Sequence, residues 1–340
     1  MTDTRAHPGA HPSVTGREPR RALRALRGLV GLAALTVAAL LALGALGRVH
    51  PAGDSFAVLR VSLVAAGLAV APLLAVLGAG RAALLAALAP GLGLLSLAPH
   101  WVPERAAIAP GSSELVLYQK NLLYALRDPG RIRDDILRTR PDVVTLEELH
   151  RNNERILAAL REVYPWQIRC RARPRVGDVA VLSRFPFREG SAGCSKTYGM
   201  AHAVVEAPGG PVTVGAIHFE WPWPHGQAAQ AEGIVAEVAA LEAPVVLGGD
   251  FNMVRWSDVL GRIGAASGAG PVGPARVTFP VGPGGFSIDH VLAPGGQGQT
   301  MLRPRLGSDH LGVLARIALP SGEPPVLQAQ GAARPAAQGL

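Results

Sequence analysis

Two hydrophobic regimes divide the chain. Residues 28–47, 61–80 and 82–102 are runs dominated by Ala, Leu, Gly and Val that contain no Asp, Glu, Lys or Arg. About 20 residues rising 1.5 Å each is the length a helix needs to cross a hydrocarbon core of roughly 30 Å, so each run predicts a transmembrane helix. A cleaved signal peptide has one short apolar run rather than three. A helix bundle in a globular protein would keep a polar face, which these runs lack.

From residue 104 the pattern changes to short alternating segments separated by turns. Residues 114–121 (ELVLYQKN) read as a strand and 141–147 (PDVVTLE), dense in β-branched residues, as a second. Further strands are expected at 178–183, 202–206, 212–219, 245–249, 287–292 and 311–317. Helices are expected at 128–139, with Asp128 as N-cap and Pro129 at the first helical position, at 152–163 and at 227–241. Many strands with few intervening helices predict an α+β fold of two packed β-sheets flanked by helices, rather than a doubly wound parallel sheet. The chain thus divides into a basic tail (1–27), three spans (28–103), a linker (104–111), a globular domain (112–318) and a Pro-, Gly-, Ala- and Gln-rich tail (319–340) expected to be disordered.

Charge follows the same division. Of the net +8, residues 1–103 hold +6, nine Arg against Asp3, Glu18 and Asp54, and residues 104–340 only +2. The globular domain therefore offers little of the basic surface that a nucleic acid requires, and nucleic acid is not the expected partner. Arg17, Arg20, Arg21, Arg24 and Arg27 precede the first span and Arg81 lies between the second and third, which puts both places on the cytoplasmic side. Arg48 and Arg60 flank the outer loop and reduce that asymmetry. Three spans that start inside end outside, so the expected product is a multi-pass protein of the cell membrane with a cytoplasmic N-terminus and an extracytoplasmic domain. Cys170 and Cys194 both lie in that exported part, where an oxidising compartment would let them pair; the alternative is two unrelated buried thiols.

Polar residues capable of metal and phosphate chemistry recur at the expected strand ends: Asn121, Glu147 and Glu148, His218, Asp250 with Asn252, Asp289 with His290, and Asp309 with His310. Asn, Asp and Glu converging on one spot form an oxygen-rich site suited to Mg²⁺ or Mn²⁺, with imidazoles left for proton transfer. Zinc fits less well, because no Cys/His spacing of a zinc site is present.

The runs YQKNL (118–122), DVVTLEEL (142–149), GDVAVLSRFP (177–186), AIHF (216–219), GGDFN (248–252), SIDHV (287–291) and GSDH (307–310) resemble, in order, the signature blocks of the endonuclease/exonuclease/phosphatase superfamily. The resemblance implies a DNase I-like four-layer sandwich and a metal-dependent phosphoesterase. It further implies Glu148 as principal metal ligand with Asn121 beside it, Asp309 close to the metal, His310 as general base and Asp289 as the carboxylate orienting it. Asp250 and Asn252 would position phosphate and water, and His218 would donate towards the phosphoryl oxygens. Glu147 stands where Gln usually precedes the ligand Glu, so the choice between the two glutamates stays open, with Glu148 preferred; His290 replaces a common aromatic and is expected behind the site.

Two features bear on substrate. Arg169, Arg171, Arg173 and Arg175 alternate, which on a strand makes either an anion-binding row or a charged, solvated edge. Trp221 and Trp223 in EWPWPHG follow His218 and would either rest at the membrane interface or hold an acyl or prenyl chain, or be ordinary surface aromatics. Tethering favours a membrane lipid or lipid-linked phosphate or pyrophosphate, and the three spans before an exported domain resemble the VanJ-type teicoplanin-resistance membrane proteins. An exported tethered nuclease and a phospholipase C- or sphingomyelinase-like lipid hydrolase use the same chemistry and are the rivals. A reporter active only outside the cytoplasm, fused after Glu104, should be active; activity of a cytoplasm-only reporter at that point would reverse the topology.

Overall fold

The computed structural model describes residues 18–101, 113–171 and 177–319. The expected linker, the alternating Arg173 and Arg175, and the C-terminal tail lie outside the described residues. The N-terminal region forms α1 (Glu18–Leu43), α2 (Ala52–Val58), α3 (Arg60–Val76) and α4 (Gly80–Trp101). Segments Arg20–Leu43 and Gly80–Trp101 are long and apolar enough to cross a membrane. The middle run departs from expectation: α3 has 17 residues, about 26 Å of helix, and joins α2 at a bend of 63°, so it completes a third span only if the bent pair is counted as one. The first helix also starts earlier than residue 28 and carries Arg20, Arg21, Arg24 and Arg27 in its first turns. Leu41, Val64 and Leu97 hold α1, α3 and α4 together, while Leu32, Leu35, Leu84 and Leu95 stand 62–74 % exposed on the outside.

The rest is built on two strand–helix–strand units. In the first, β1 (Ser113–Asn121) leads through α5 (Gly130–Thr139) to β2 (Val143–Leu149), and β1 and β2 pair in parallel. The helix starts one residue later than expected, because Pro129 takes the cap position and Asp128 Oδ1 accepts from Gly130 N at 3.1 Å. After α6 (Arg155–Leu160), β3 (Trp166–Cys170) and β4 (Asp178–Ser183) extend the sheet, and β5 (Gly193–Cys194) and β6 (Met200–Ala207) begin the other. The second unit is β7 (Gly210–His218), α7 (Gln227–Val238) and β8 (Val245–Asp250), again a parallel pair. Then come α8 (Asp258–Ser267), β9 (Ala269–Pro271), the hairpin β10 (Phe279–Val281) and β11 (Gly284–Phe286), β12 (Asp289–Pro294), β13 (Gly298–Arg303) and β14 (Gly312–Leu319).

Two mixed six-stranded sheets result, ordered β13-β14-β1-β2-β4-β3 and β5-β6-β7-β8-β12-β9. Residues such as Leu117, Val143, Val181, Val214, Val246 and Ile317 fill the space between them. Ile132, Ile136, Ile156 and Leu160 seal α5 and α6 onto the outer face of the first sheet, and Ile234, Val238, Val259 and Ile263 seal α7 and α8 onto the second. Helices on both outer faces make four layers, as expected. The short β3, β5, β9 to β11 and β13 were not anticipated, because they alternate over only a few residues or are shaped by Gly and Pro; α8 was not anticipated either, although Ser257 caps it and Gly268 ends it. Cys170 on β3 and Cys194 on β5 are disulfide-bonded, which ties the edge of one sheet to the edge of the other.

The two glycines before Asp250 pack tightly, Gly248 against the opposite sheet and Gly249 against β7 in its own. A Cβ on Gly248 would lie 2.6 Å from Thr145 Oγ1 of the opposite sheet, and one on Gly249 would lie 1.9 Å from the Ile217 carbonyl oxygen. Gly249→Ala should therefore destabilise the chain by about 3 kcal/mol or more. Thermal unfolding of the detergent-purified protein checks this; an unchanged midpoint would show that β7 and β8 have slack there.

Candidate active site

The two parallel pairs point their C-terminal ends in one direction, and the functional side chains gather there. Asn121 lies opposite Glu147 across β1 and β2, while Asp250 at the end of β8 is flanked by His218 on β7 and Asp289 on β12. Register alone thus lines up three of these residues in the second sheet. The first sheet needs a distortion: its pairing with β4 slips between Leu146 and Leu149, and Glu148 takes a φ of +58°. The break in alternation swings Glu148 towards Asn121, and Gly177 allows it, since a Cβ there would lie 2.8 Å from the Glu148 Cα. Strict alternation would have sent Glu147 and Glu148 to opposite faces of the sheet.

The sheets are joined by Asn121. Its Nδ2 donates to Glu148 Oε1 and to Asp250 Oδ2, both at 3.0 Å, while its Oδ1 accepts from Leu123 N at 2.9 Å. Tyr124 N donates to Glu148 Oε2 at 2.8 Å. Glu147 turns instead into the space between the sheets, fully buried, where Gln119 Nε2 bridges it (2.8 Å) to Asp289 (2.9 Å). Burial, reinforced by the Asp289 charge, pushes the Glu147 carboxyl well above its ordinary range. Glu148 is also raised by burial, but it opens onto the pocket.

His310 Nδ1 lies 2.8 Å from Asp289 Oδ2, and its Nε2 is 3.7 Å from Asp250 Oδ2. His218 Nε2 stands at 3.7 Å from the same Asp250 oxygen. Ser308 holds the loop: its hydroxyl donates to the Asn121 carbonyl at 2.8 Å and accepts from His310 N at 3.0 Å. Lys120, buried behind it, donates through Nζ to the His310 carbonyl at 2.5 Å. Burial disfavours a charged His310, but Asp289 and then Asp250 outweigh it and push its pKa up to about 10. Asp289 is correspondingly held low by His310 against burial. Asp250 is raised by burial, and further by Asp289, to about 6, and His218 is lowered by burial.

Glu148, His218 and Asp250 offer ligand atoms within 4.8 Å of one another, as do Asp250, Asp289 and His310. Asn252, at a φ of +46°, donates from Nδ2 to the Phe219 carbonyl, and its buried Oδ1 has no hydrogen-bond partner. Carboxylates, an imidazole and an orphaned amide oxygen are a donor set that fits a hard divalent cation. Asp309 lines the same pocket, with its Oδ1 3.4 Å from Ser308 Oγ. His290 sits behind the site, its Nε2 2.8 Å from the Met253 carbonyl, and burial drives its pKa down to about 3.

The pocket holds about 340 Å³, and Tyr124, Trp221 and Phe279 form its apolar wall. Phe279, on the small hairpin, lies 4.7 Å from the His310 ring and 6.3 Å from Trp221. Sequence reasoning missed Phe279, which sits in a stretch without periodicity, and missed Gln119, Ser308 and Thr278. Gln119 was accessible in principle, because it precedes Asn121 by two on a strand and must share its face. Thr278 Oγ1 accepts from Ile288 N and Asp289 N and has no sequence signal. Of the alternating arginines that are described, Arg169 is engaged with Glu154 at 2.6 Å and Asp178 at 2.7 Å, and Arg171 lies just beyond the end of β3 at Cys170.

An acidic and imidazole cluster at the strand ends of a two-sheet sandwich is the setting of metal-assisted hydrolysis. The model of the Endonuclease/Exonuclease/phosphatase family matches residues 119–310, more than half of the chain, and the chain belongs to that family. No match was found among curated proteins. Similar solved structures include a beta toxin mutant from Staphylococcus aureus with bound magnesium ions, at 15 % identity and a TM-score of 0.46, covering 60 % of this chain and 100 % of that one. Sphingomyelinase C from Streptomyces griseocarneus has 19 % identity and a TM-score of 0.43, covering 61 % and 100 %. Truncated TDP2 from Caenorhabditis elegans has 16 % identity and 0.46, covering 61 % and 98 %.

The His310–Asp289 pair gives a test of charge. A histidine raised to about 10 contributes stability that is complete below its ordinary value near 6.5 and is lost as pH rises through about 10. In chelator, the wild-type chain should lose thermal stability relative to His310→Gln between pH 7 and 10. A constant difference over that interval would mean that the imidazole is neutral.

Proposed function

We propose that the chain is a Mg²⁺- or Mn²⁺-dependent phosphoesterase of the outer membrane face that hydrolyses a lipid-linked phosphate or pyrophosphate. The observation that carries this is the position of the pocket. Trp221, one of the three aromatic residues of its wall, belongs to the loop after β7, and that loop rests on the N-terminal helical region: Ser55 Oγ on α2 donates to the Trp223 carbonyl at 2.8 Å, and the His50 and Trp223 rings meet at 5.9 Å. Trp221 and Trp223 remain 48 % exposed beside the mouth. The outward leucines of α1 and α4 form the kind of continuous apolar surface that a bilayer covers. A polar reaction centre with an apolar wall at that level suits a substrate whose phosphate is in water and whose chain is in lipid.

His310 is the base. With Nδ1 given to Asp289, its neutral form presents Nε2 to take a proton from water as the water oxygen bonds to phosphorus and the P–O bond to the leaving group breaks. Asp289 holds the tautomer and stabilises the imidazolium that results. A divalent cation held by Glu148 and Asp250 would supply positive charge near the phosphoryl oxygens and offset the part of the raised His310 pKa that comes from Asp250 rather than Asp289. Asn121 holds Glu148 and Asp250 together, His218 faces the phosphoryl oxygens, and Asn252, whose Nδ2 is held by the Phe219 carbonyl, offers its free Oδ1 to the cation or the attacking water. The resemblance to VanJ-type proteins points to a polyprenyl pyrophosphate of the cell envelope and makes glycopeptide resistance the trait to assay.

Detergent-solubilised protein should release phosphate from a polyprenyl pyrophosphate with Mg²⁺ and not with chelator. His310→Ala and Asp289→Asn should each lower the rate by about 10²–10⁴-fold, and Glu148→Gln should raise the Mg²⁺ concentration needed for half-maximal rate. Nicking of plasmid DNA without phosphate release would replace this proposal with a tethered nuclease, and phosphocholine release with a lipid hydrolase of the phospholipase C type.

A further inference from the structure

A second cleft, of about 610 Å³, lies away from the catalytic pocket where the outer end of α1, the bend between α2 and α3, and helix α8 meet. None of the residues assigned above to catalysis lines it. Three arginines do: Arg48 after α1, Arg60 at the start of α3 and Arg262 on α8. The two carboxylates among them are already engaged. Asp54 on α2 caps α8, accepting from Asp258 N at 2.9 Å and Val259 N at 3.1 Å, and Asp258 accepts from Arg48 Nε at 3.2 Å. Arg60 donates only to a neutral acceptor, the Gly44 carbonyl, at 2.8 Å. Arg262 makes no hydrogen bond or close ion pair among the described residues, though its charge reaches Asp54, and beside it the position of a Cβ on Gly261 has nothing within 4 Å.

We propose that this cleft binds a phosphate group, that of an anionic lipid headgroup, between Arg60 and Arg262. Guanidinium groups with unspent donors match phosphate oxygens in geometry and charge. Gly44 directly follows the last residue of α1, and Arg60 opens α3, so the cleft sits where the apolar surface of the helices ends, the level of lipid headgroups. This placement rests on the membrane reading proposed above but not on the catalytic one. A phosphate held by Arg60 on the helical hairpin and Arg262 on the globular domain would clamp the two together beside the Asp54 cap and the Trp256 indole, which donates to the Ala57 carbonyl at 2.8 Å.

The test is native mass spectrometry of the full chain in detergent, titrated separately with phosphatidylglycerol, phosphatidylcholine and inorganic phosphate. Wild type should retain one phosphatidylglycerol at least tenfold more tightly than phosphatidylcholine, and Arg60→Gln/Arg262→Gln should lose that preference. Arg262→Gln alone, an exposed position that leaves the fold intact, should weaken retention several-fold, and Arg81→Gln at the opposite end should not. Inorganic phosphate bound through the same two arginines, without lipid preference, would support the phosphate site and assign it a soluble ligand. Equal retention of both lipids with no phosphate binding, or a double variant that behaves as wild type, overturns the proposal. Absence of hydrolysis would count against the catalytic proposal and leave this binding result standing, whereas release of the chain from membranes by alkaline wash would remove the lipid source.

Discussion

The close packing of β8 at Gly248, against the opposite sheet, and at Gly249, against β7 beside it, is the constraint on which the site depends. Without a side chain at Gly248, β8 runs near enough to β1 and β2 for Asp250 to accept a hydrogen bond from Asn121 of the other sheet at 3.0 Å. Asp250 then stands 3.7 Å from both His218 and His310. One buried carboxylate thereby couples His310, His218 and, through Asn121, Glu148. Burial in a medium of low effective dielectric makes these charges strongly interdependent, which is why His310 is drawn up while Asp289 is held down.

Around that point each neighbour has a defined task. Gln119 links Glu147 to Asp289, Ser308 ties the final loop to the end of β1, and Thr278 holds the backbone that enters β12. These residues position the acidic and imidazole groups rather than meeting a substrate. Glu147 is the instructive case: adjacent to Glu148 in the chain, it is enclosed between the sheets and raised by burial, while its neighbour faces the pocket.

The N-terminal helices do more than precede the domain. Asp54 caps α8, Trp256 reaches back to α2, Ser55 supports the loop carrying Trp221 and Trp223, and the His100 carbonyl accepts from Ala275 N at 2.7 Å. The contacts from α2 and from the C-terminal end of α4 converge at Trp256, whose indole donates to the Ala57 carbonyl and whose ring lies 5.6 Å from that of His100. In that arrangement the bend between α2 and α3 is a wedge that meets the globular domain, not a flaw in a straight span.

Much of this was legible in the residues themselves. The apolar runs, the period-two strands and the ordered polar residues at their ends follow from local rules, because a strand end or an uncharged run is recognisable without knowing its neighbours. From these came the two-sheet architecture and the cluster of Asn121, Glu148, His218, Asp250, Asp289 and His310. Tertiary structure alone decided which glutamate faces the pocket, since that turns on a bulge and a positive φ at Glu148. It also decided that Phe279 closes the pocket, that Arg169 is spent on Glu154 and Asp178, and that α3 is short and bent. Each of those outcomes depends on residues distant in the chain, whose proximity no local pattern encodes.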